Sequence, residues 1–189
     1  MTALALATGV AMATTALAAS ADPGWMRYKG KVIANGGLTI RSAPTTHARN
    51  EGLVAKGTTV TIACKVHATS VGGNRLWYRL DNGKGWLAAR YVTNIGKVPR
   101  YCPVDDTTGG GTGSTTAAVN RRQGPHLKDT RLGTLPKGTR ILVICSVKSP
   151  AAVDGNNEWF LLSDRKSWVT AAYLKRDVTQ PAQWGPCTY

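Results

Sequence analysis

Four cysteines, three histidines and ten carboxylates are the groups in this 189-residue chain that could act as nucleophiles, metal ligands or acid–base pairs. Neither the cysteines nor His47, His67 and His126 are grouped in the paired spacing of a zinc site. The carboxylates are scattered, which disfavours paired acid and base work. A Cys and His hydrolase pair would need a reduced thiol, and here Cys64 is expected to bridge Cys102, and Cys145 to bridge Cys187. No catalytic residue, metal or cofactor is therefore assigned.

The aromatic residues and arginines carry more information. Six Trp and six Tyr stand against a single Phe, a bias toward rings with a polar handle that suit half-exposed contacts. Trp86 and Trp168 lie next to a hairpin turn, and Tyr91 and Tyr173 lie just beyond it. These four rings are the candidates to stack on sugar or peptide. Arg41 and Arg122, each beside a proline loop, are the candidates to pair with a carboxylate or phosphate. Trp77 and Trp159 fall mid-strand and are expected in the core.

These residues recur because the chain repeats. Lys56–Cys64 (K-G-T-T-V-T-I-A-C) returns without a gap as Lys137–Cys145 (K-G-T-R-I-L-V-I-C). After a single insertion the correspondence continues: Asn74 pairs with Asn156, Trp77 with Trp159, Trp86 with Trp168 and Tyr91 with Tyr173. A fixed period over this length implies two copies of one structural unit. Within the first copy Val60, Ile62 and Cys64 alternate with polar or small residues, the period of a half-buried strand. In the second, Leu142 and Ile144 fill the outward positions, so that strand is expected to be covered on both faces. Further strands are predicted over 31–34, 38–41, 53–55, 76–80 and 85–88. A helical turn follows over 89–92, and the second copy repeats the order. Asn82-Gly83 is a strong hairpin signal. Long helical periodicity is absent, so the chain reads as all-β.

A unit of about 75 residues buries only about 60% of its unfolded surface and benefits from a covalent staple. Pairing cysteines within each copy keeps each unit self-contained and would contribute roughly 4 kcal/mol per bridge in the chain-entropy model; buried free thiols are the alternative. Residues 1–21 read as a secretory leader. They are uncharged, rich in Ala and Leu, and end in small-residue sites before Asp22. The usual basic stretch is missing before Arg27, as expected if the start lies upstream. Residues 105–116, D-D-T-T-G-G-G-T-G-S-T-T, hold no core-forming residue and read as a flexible linker between unit 27–103 and unit 117–189.

The net charge of +14 is unevenly spread. Residues 27–103 carry 13 basic against 2 acidic residues, and 117–189 carry 11 against 5. Such a balance favours anionic partners: nucleic acid, acidic lipid or the anionic polymers of a bacterial wall.

The motifs resemble one family. Gly37-Leu38-Thr39-Ile40-Arg41-Ser42-Ala43-Pro44 is similar to the opening of bacterial SH3 domains. Lys56–Cys64 resembles their central strand, Leu76–Leu80 their Trp-bearing strand, and Gly85-Trp86-Leu87 with Arg90-Tyr91-Val92 their ending. The second copy resembles them less closely. Arg121 replaces an apolar residue, and Ser167-Trp168-Val169 lacks the glycine. The resemblance implies a tandem pair of small, partly open β-barrels in a secreted or wall-associated protein, several relatives of which bind peptidoglycan. The expected function is thus noncatalytic binding of a cell-wall polymer, either peptidoglycan or an anionic wall polymer. General polyanion binding and a secreted protein partner are the alternatives. Specific nucleic-acid recognition and a membrane span beyond the leader are not expected.

Overall fold

The computed structural model describes residues 27–102, 111–177 and 184–187. The expected leader lies outside them. The first half contains β1 (Tyr28–Val32), β2 (Leu38–Arg41), β3 (Asn50–Val54), β4 (Thr59–Val71), β5 (Asn74–Leu80), β6 (Trp86–Ala88) and β7 (Val92–Ile95). The second contains β8 (Thr112–Thr115), β9 (Val119–Arg122), β10 (Arg131–Leu135), β11 (Arg140–Val153), β12 (Asn156–Leu162), β13 (Trp168–Thr170) and β14 (Leu174–Arg176). A 3-10 turn follows β6 at Ala89–Tyr91 and β13 at Ala171–Tyr173. The strands form two curled seven-stranded antiparallel sheets, in the orders β3-β2-β6-β5-β4-β1-β7 and β10-β9-β13-β12-β11-β8-β14. Each strand of the second sheet occupies the place of its counterpart in the first, as the repeat requires.

Both expected disulfides form, Cys64 to Cys102 and Cys145 to Cys187, one in each half. Each docks a short segment onto a long strand. Lys65 N–H donates to Arg100 O at 2.8 Å and Cys102 N–H to Lys65 O at 2.9 Å. Ser146 N–H and Cys187 N–H make the matching pair with Gly185 O and Ser146 O, both at 2.8 Å.

Strand β8 falls inside the stretch read as linker, of which residues 105–110 lie outside the described residues. β11 and β14 supply its hydrogen-bond partners on both sides. Its glycine is a packing device, because a Cβ at Gly113 would come within 2.6 Å of the Trp184 ring. Gly30 in β1 does the same beneath Val92, where a Cβ would sit 2.4 Å from a methyl group. A glycine here reads as flexibility in the sequence and acts as close approach in the fold.

The long strand of each repeat does not keep one inward face. Val60 and Ile62 pack into the first half's own core with Tyr28, Val32, Tyr78 and Leu80. Between Ile62 and Cys64 the register slips against β5, so Ile62 faces Leu80 but Cys64 faces Arg79. Such a bulge puts two residues of one strand opposite one of its neighbour and turns the following side chains over. Beyond it, Cys64, Val66 and Ala68 point into a third core that both halves share. β11 slips at the same place, between Val143 and Cys145. The covering expected of its outer face is only partial: Ile144 packs against the shared core, whereas Leu142 is 46% exposed.

The shared core joins repeat-related residues: Cys64 with Cys145, Val66 with Val147, Trp77 with Trp159, Trp86 with Trp168, and Cys102 with Cys187. Both halves thus contribute to one interior in addition to the core that each keeps for itself. Polar bonds also cross the junction. Trp168 Nε1 donates to His67 O at 2.8 Å, and Arg75 donates to Gln123 O at 3.1 Å and Lys166 O at 2.6 Å. Thr45 and Thr69 donate to buried Asp129 at 3.0 and 2.7 Å. Truncating Trp168 to Ala should therefore lower stability by about 3–5 kcal/mol, and Trp168→Phe, which removes the indole donor and part of the buried ring volume, by about 1–3 kcal/mol. Chemical denaturation of the two variants beside the wild type checks both values.

Candidate functional site

A groove of about 410 Å³ opens on the first sheet. β2 contributes Leu38, Thr39 and Arg41, the turn before it contributes Asn35 and Gly37, and β5 contributes Trp77 at the floor. Tyr91, on the 3-10 turn after β6, forms a rim and is 38% exposed. The turn itself is anchored, since Ile33 N–H donates to Tyr91 O at 3.0 Å. Trp77 is fixed by its indole N–H, which donates to Thr69 O at 2.8 Å.

Arg41 is the charged residue among those lining the groove. One of its nitrogens donates to Ala48 O at 3.0 Å and closes the proline loop. A guanidinium has five N–H donors, so this bond positions the group and leaves others for a ligand. Gly85 lets the start of β6 approach β2, because a Cβ there would lie 2.4 Å from Arg41 O, and its φ of +149° suits glycine. In the second half Ser167 takes that place and is held by Asp164, to which its N–H donates at 2.9 Å and its hydroxyl at 2.6 Å.

The structure thus brings Arg41 and Tyr91 together, and adds Trp77, which the sequence assigned to the core. Trp77 is both: it is 2% exposed and still lines the groove. Trp86 and Trp168 sit elsewhere, in the shared core at 2% and 0% exposure. Arg122 repeats the loop-closing bond, donating to Asp129 O at 3.0 Å. Tyr173 has a different neighbour. Asp154 stands where the first repeat has Gly72, and its carboxylate pushes the Tyr173 phenol up from its ordinary value. An anion that approaches Tyr91 beside Arg41 would meet a negative charge beside Tyr173.

The histidines lie at the junction between the halves. His67 Nδ1 lies 3.2 Å from Arg165 O, a carbonyl that can only accept, so Nδ1 carries the proton. Nε2 then accepts from the Tyr101 hydroxyl at 3.3 Å. His47 and His126 stack with ring centres 4.9 Å apart. Burial first, then nearby cations, hold His67 below its ordinary pKa; burial and His47 do the same for His126. Asp129 is pushed up by burial, against the pull of its two threonine donors and the two stacked histidines. All four cysteines are oxidised. Among the described residues, no group of three or more His, Cys, Asp or Glu could hold a metal ion, and no helix is long and apolar enough to cross a membrane.

Residues 36–93 match the family model described as a bacterial SH3 domain. Among solved structures, the chain is similar to one named "Endolysin LysPBC5 CBD", with 14% identity and a TM-score of 0.29 over 82% of this chain and 96% of that one. It is also similar to NlpC2 from Trichomonas vaginalis, with 11% identity and a TM-score of 0.29, covering 82% of this chain and half of that one. No curated protein matches.

The histidine shifts set a pH dependence. A histidine whose folded pKa is depressed favours the neutral form, so its contribution is complete above the unfolded value near 6.5 and is lost as pH falls below it. Asp129 works in the opposite direction, since a raised carboxyl pKa makes acid stabilising. The two effects oppose each other, so substituting His67 isolates the histidine part of the slope. The melting temperature should fall between pH 7.5 and pH 5.5, and His67→Gln should flatten that fall. A slope unchanged by the substitution would contradict this reading of His67.

Proposed function

We propose that the protein is a secreted, noncatalytic binder of the cell wall, with peptidoglycan as its polymer, a reading supported by the match of residues 36–93 to the bacterial SH3 family model. The observation that carries the reading is the groove on the matched repeat, where an exposed tyrosine, a tryptophan floor and a preset arginine meet in about 410 Å³. Tyr91 offers a ring face for stacking on sugar or peptide, and Arg41 offers spare N–H donors for a carboxylate. Trp86 and Trp168 hold the fold beneath. The first repeat carries the contact. In the second repeat Arg122 and Tyr173 keep the framework, and Asp154 alters the charge beside it.

General polyanion binding is the second reading, and the net charge of +14 favours it. The two differ in what they demand. Attraction between charges weakens steeply with salt and is indifferent to a single exposed ring. Stacking in a groove persists in salt and depends on the ring.

Co-sedimentation with purified peptidoglycan at about 0.15 M salt separates them. The wild type should pellet, and Tyr91→Ala should weaken binding about tenfold, equivalent to about 1.4 kcal/mol. Wild-type protein left in the supernatant would overturn the proposal. Binding unaffected by Tyr91→Ala but abolished by salt would transfer it to the polyanion reading.

A further inference from the structure

A second cavity, of about 200 Å³, lies between the halves and shares no lining residue with the groove. Ser42, Arg79 and Trp86 line it from the first half, and Ser146, Lys148 and Cys187 from the second. Arg79 breaks the repeat. At the matching position of the second copy stands Leu161, which is 1% exposed in the shared core. A cation has thus taken the place where the other copy uses an apolar side chain to fill the junction.

That cation is poorly compensated within the chain. Its guanidinium lies over the Trp86 ring at 5.4 Å, which occupies one face of the plane. Among the described residues it makes no hydrogen bond or ion pair, and burial pulls its pKa down. The side chain is only half-buried, so its free donors remain open to a ligand. The hydroxyl of Ser42, also in this cavity, is buried with no hydrogen-bond partner. Lys148 adds a second positive charge, and among the described residues no carboxylate lines the cavity. The set consists of a forked guanidinium, a spare hydroxyl and an ammonium, drawn from both halves. This is a donor set that lacks its acceptor, and a multi-oxygen anion supplies several acceptors at once.

We propose that the cleft between the two repeats is a binding site for a phosphate-type oxyanion, held by Arg79 with Ser42 and Lys148 in support. The anion is either free inorganic phosphate or a phosphodiester of a polymer, since both present the same oxygens. The site is distinct from the groove and does not rest on peptidoglycan binding. Occupancy would also bridge the repeats, because its donors come from both.

The test is a titration of the full, oxidised chain with inorganic phosphate at constant ionic strength, following backbone amides, the Arg79 side-chain N–H and the Trp86 indole by NMR. Saturable shifts centred on Ser42, Arg79 and Trp86 are expected. Arg79→Leu, which copies the second repeat's residue, should weaken binding at least about tenfold and leave the melting temperature unchanged or higher, since an uncompensated charge has been removed. Arg79→Lys, which keeps the charge and loses the fork, should weaken binding severalfold. Lys31→Ala, an equal loss of charge at an exposed position of β1, should change it less than about twofold. A glycerol phosphate oligomer titrated in parallel separates the sources: tighter binding per phosphate assigns a polymer, and equal binding assigns the free anion. Shifts that never saturate and spread over the surface lysines and arginines would overturn the site. So would equal weakening by Lys31→Ala and Arg79→Leu.

Discussion

The hydrophobic junction between the two repeats is the constraint on which the rest of the structure depends. It exists because each long strand serves two cores. Before its bulge, β4 presents Val60 and Ile62 to its own half; after it, Cys64, Val66 and Ala68 turn to the shared core. β11 does the same on either side of its own slip. Without those offsets the alternation would send one continuous face into one barrel, and Trp77, Trp86, Trp159 and Trp168 would have no common interior. Each half alone would be a small unit with a marginal core. Packed together and stapled by two disulfides, they gain an interior neither could enclose alone.

That packing decides which residues are free to meet a ligand. It withdraws Trp86 and Trp168 from solvent and commits part of Arg41 and Arg122 to loop closure. Tyr91 and the spare donors of Arg41 remain available at the groove. The repeats then differ where chemistry differs. Asp154 stands in place of Gly72, and Leu161 opposite Arg79. Shared positions build the fold, and the departures from symmetry change the local charge of each half.

Much of the fold was legible in the sequence because the signals were local or repeated. The return of the Lys56–Cys64 stretch at Lys137–Cys145, the Asn82-Gly83 turn and the cysteine pairing lead directly to two seven-stranded sheets with one bridge each. Arg41 and Tyr91 stood out as candidates by type and place, and the structure sets both along one groove. The rest was hidden for physical reasons. A bulge leaves the apolar period intact, so Ile62 and Cys64 look alike although they face different cores. Gly113 suggests a flexible linker because its partner, Trp184, lies near the other end of the second repeat. Trp86 and Trp168 look available for stacking because their cover comes from the opposite repeat, and a repeat unit considered alone omits its neighbour.

Differential scanning calorimetry of the oxidised full chain tests the shared core most directly. Two sheets joined through a common interior should unfold in one cooperative transition, with the calorimetric and van't Hoff enthalpies equal. Two separate transitions, with either half melting at a temperature unaffected by Trp168→Ala, would contradict it.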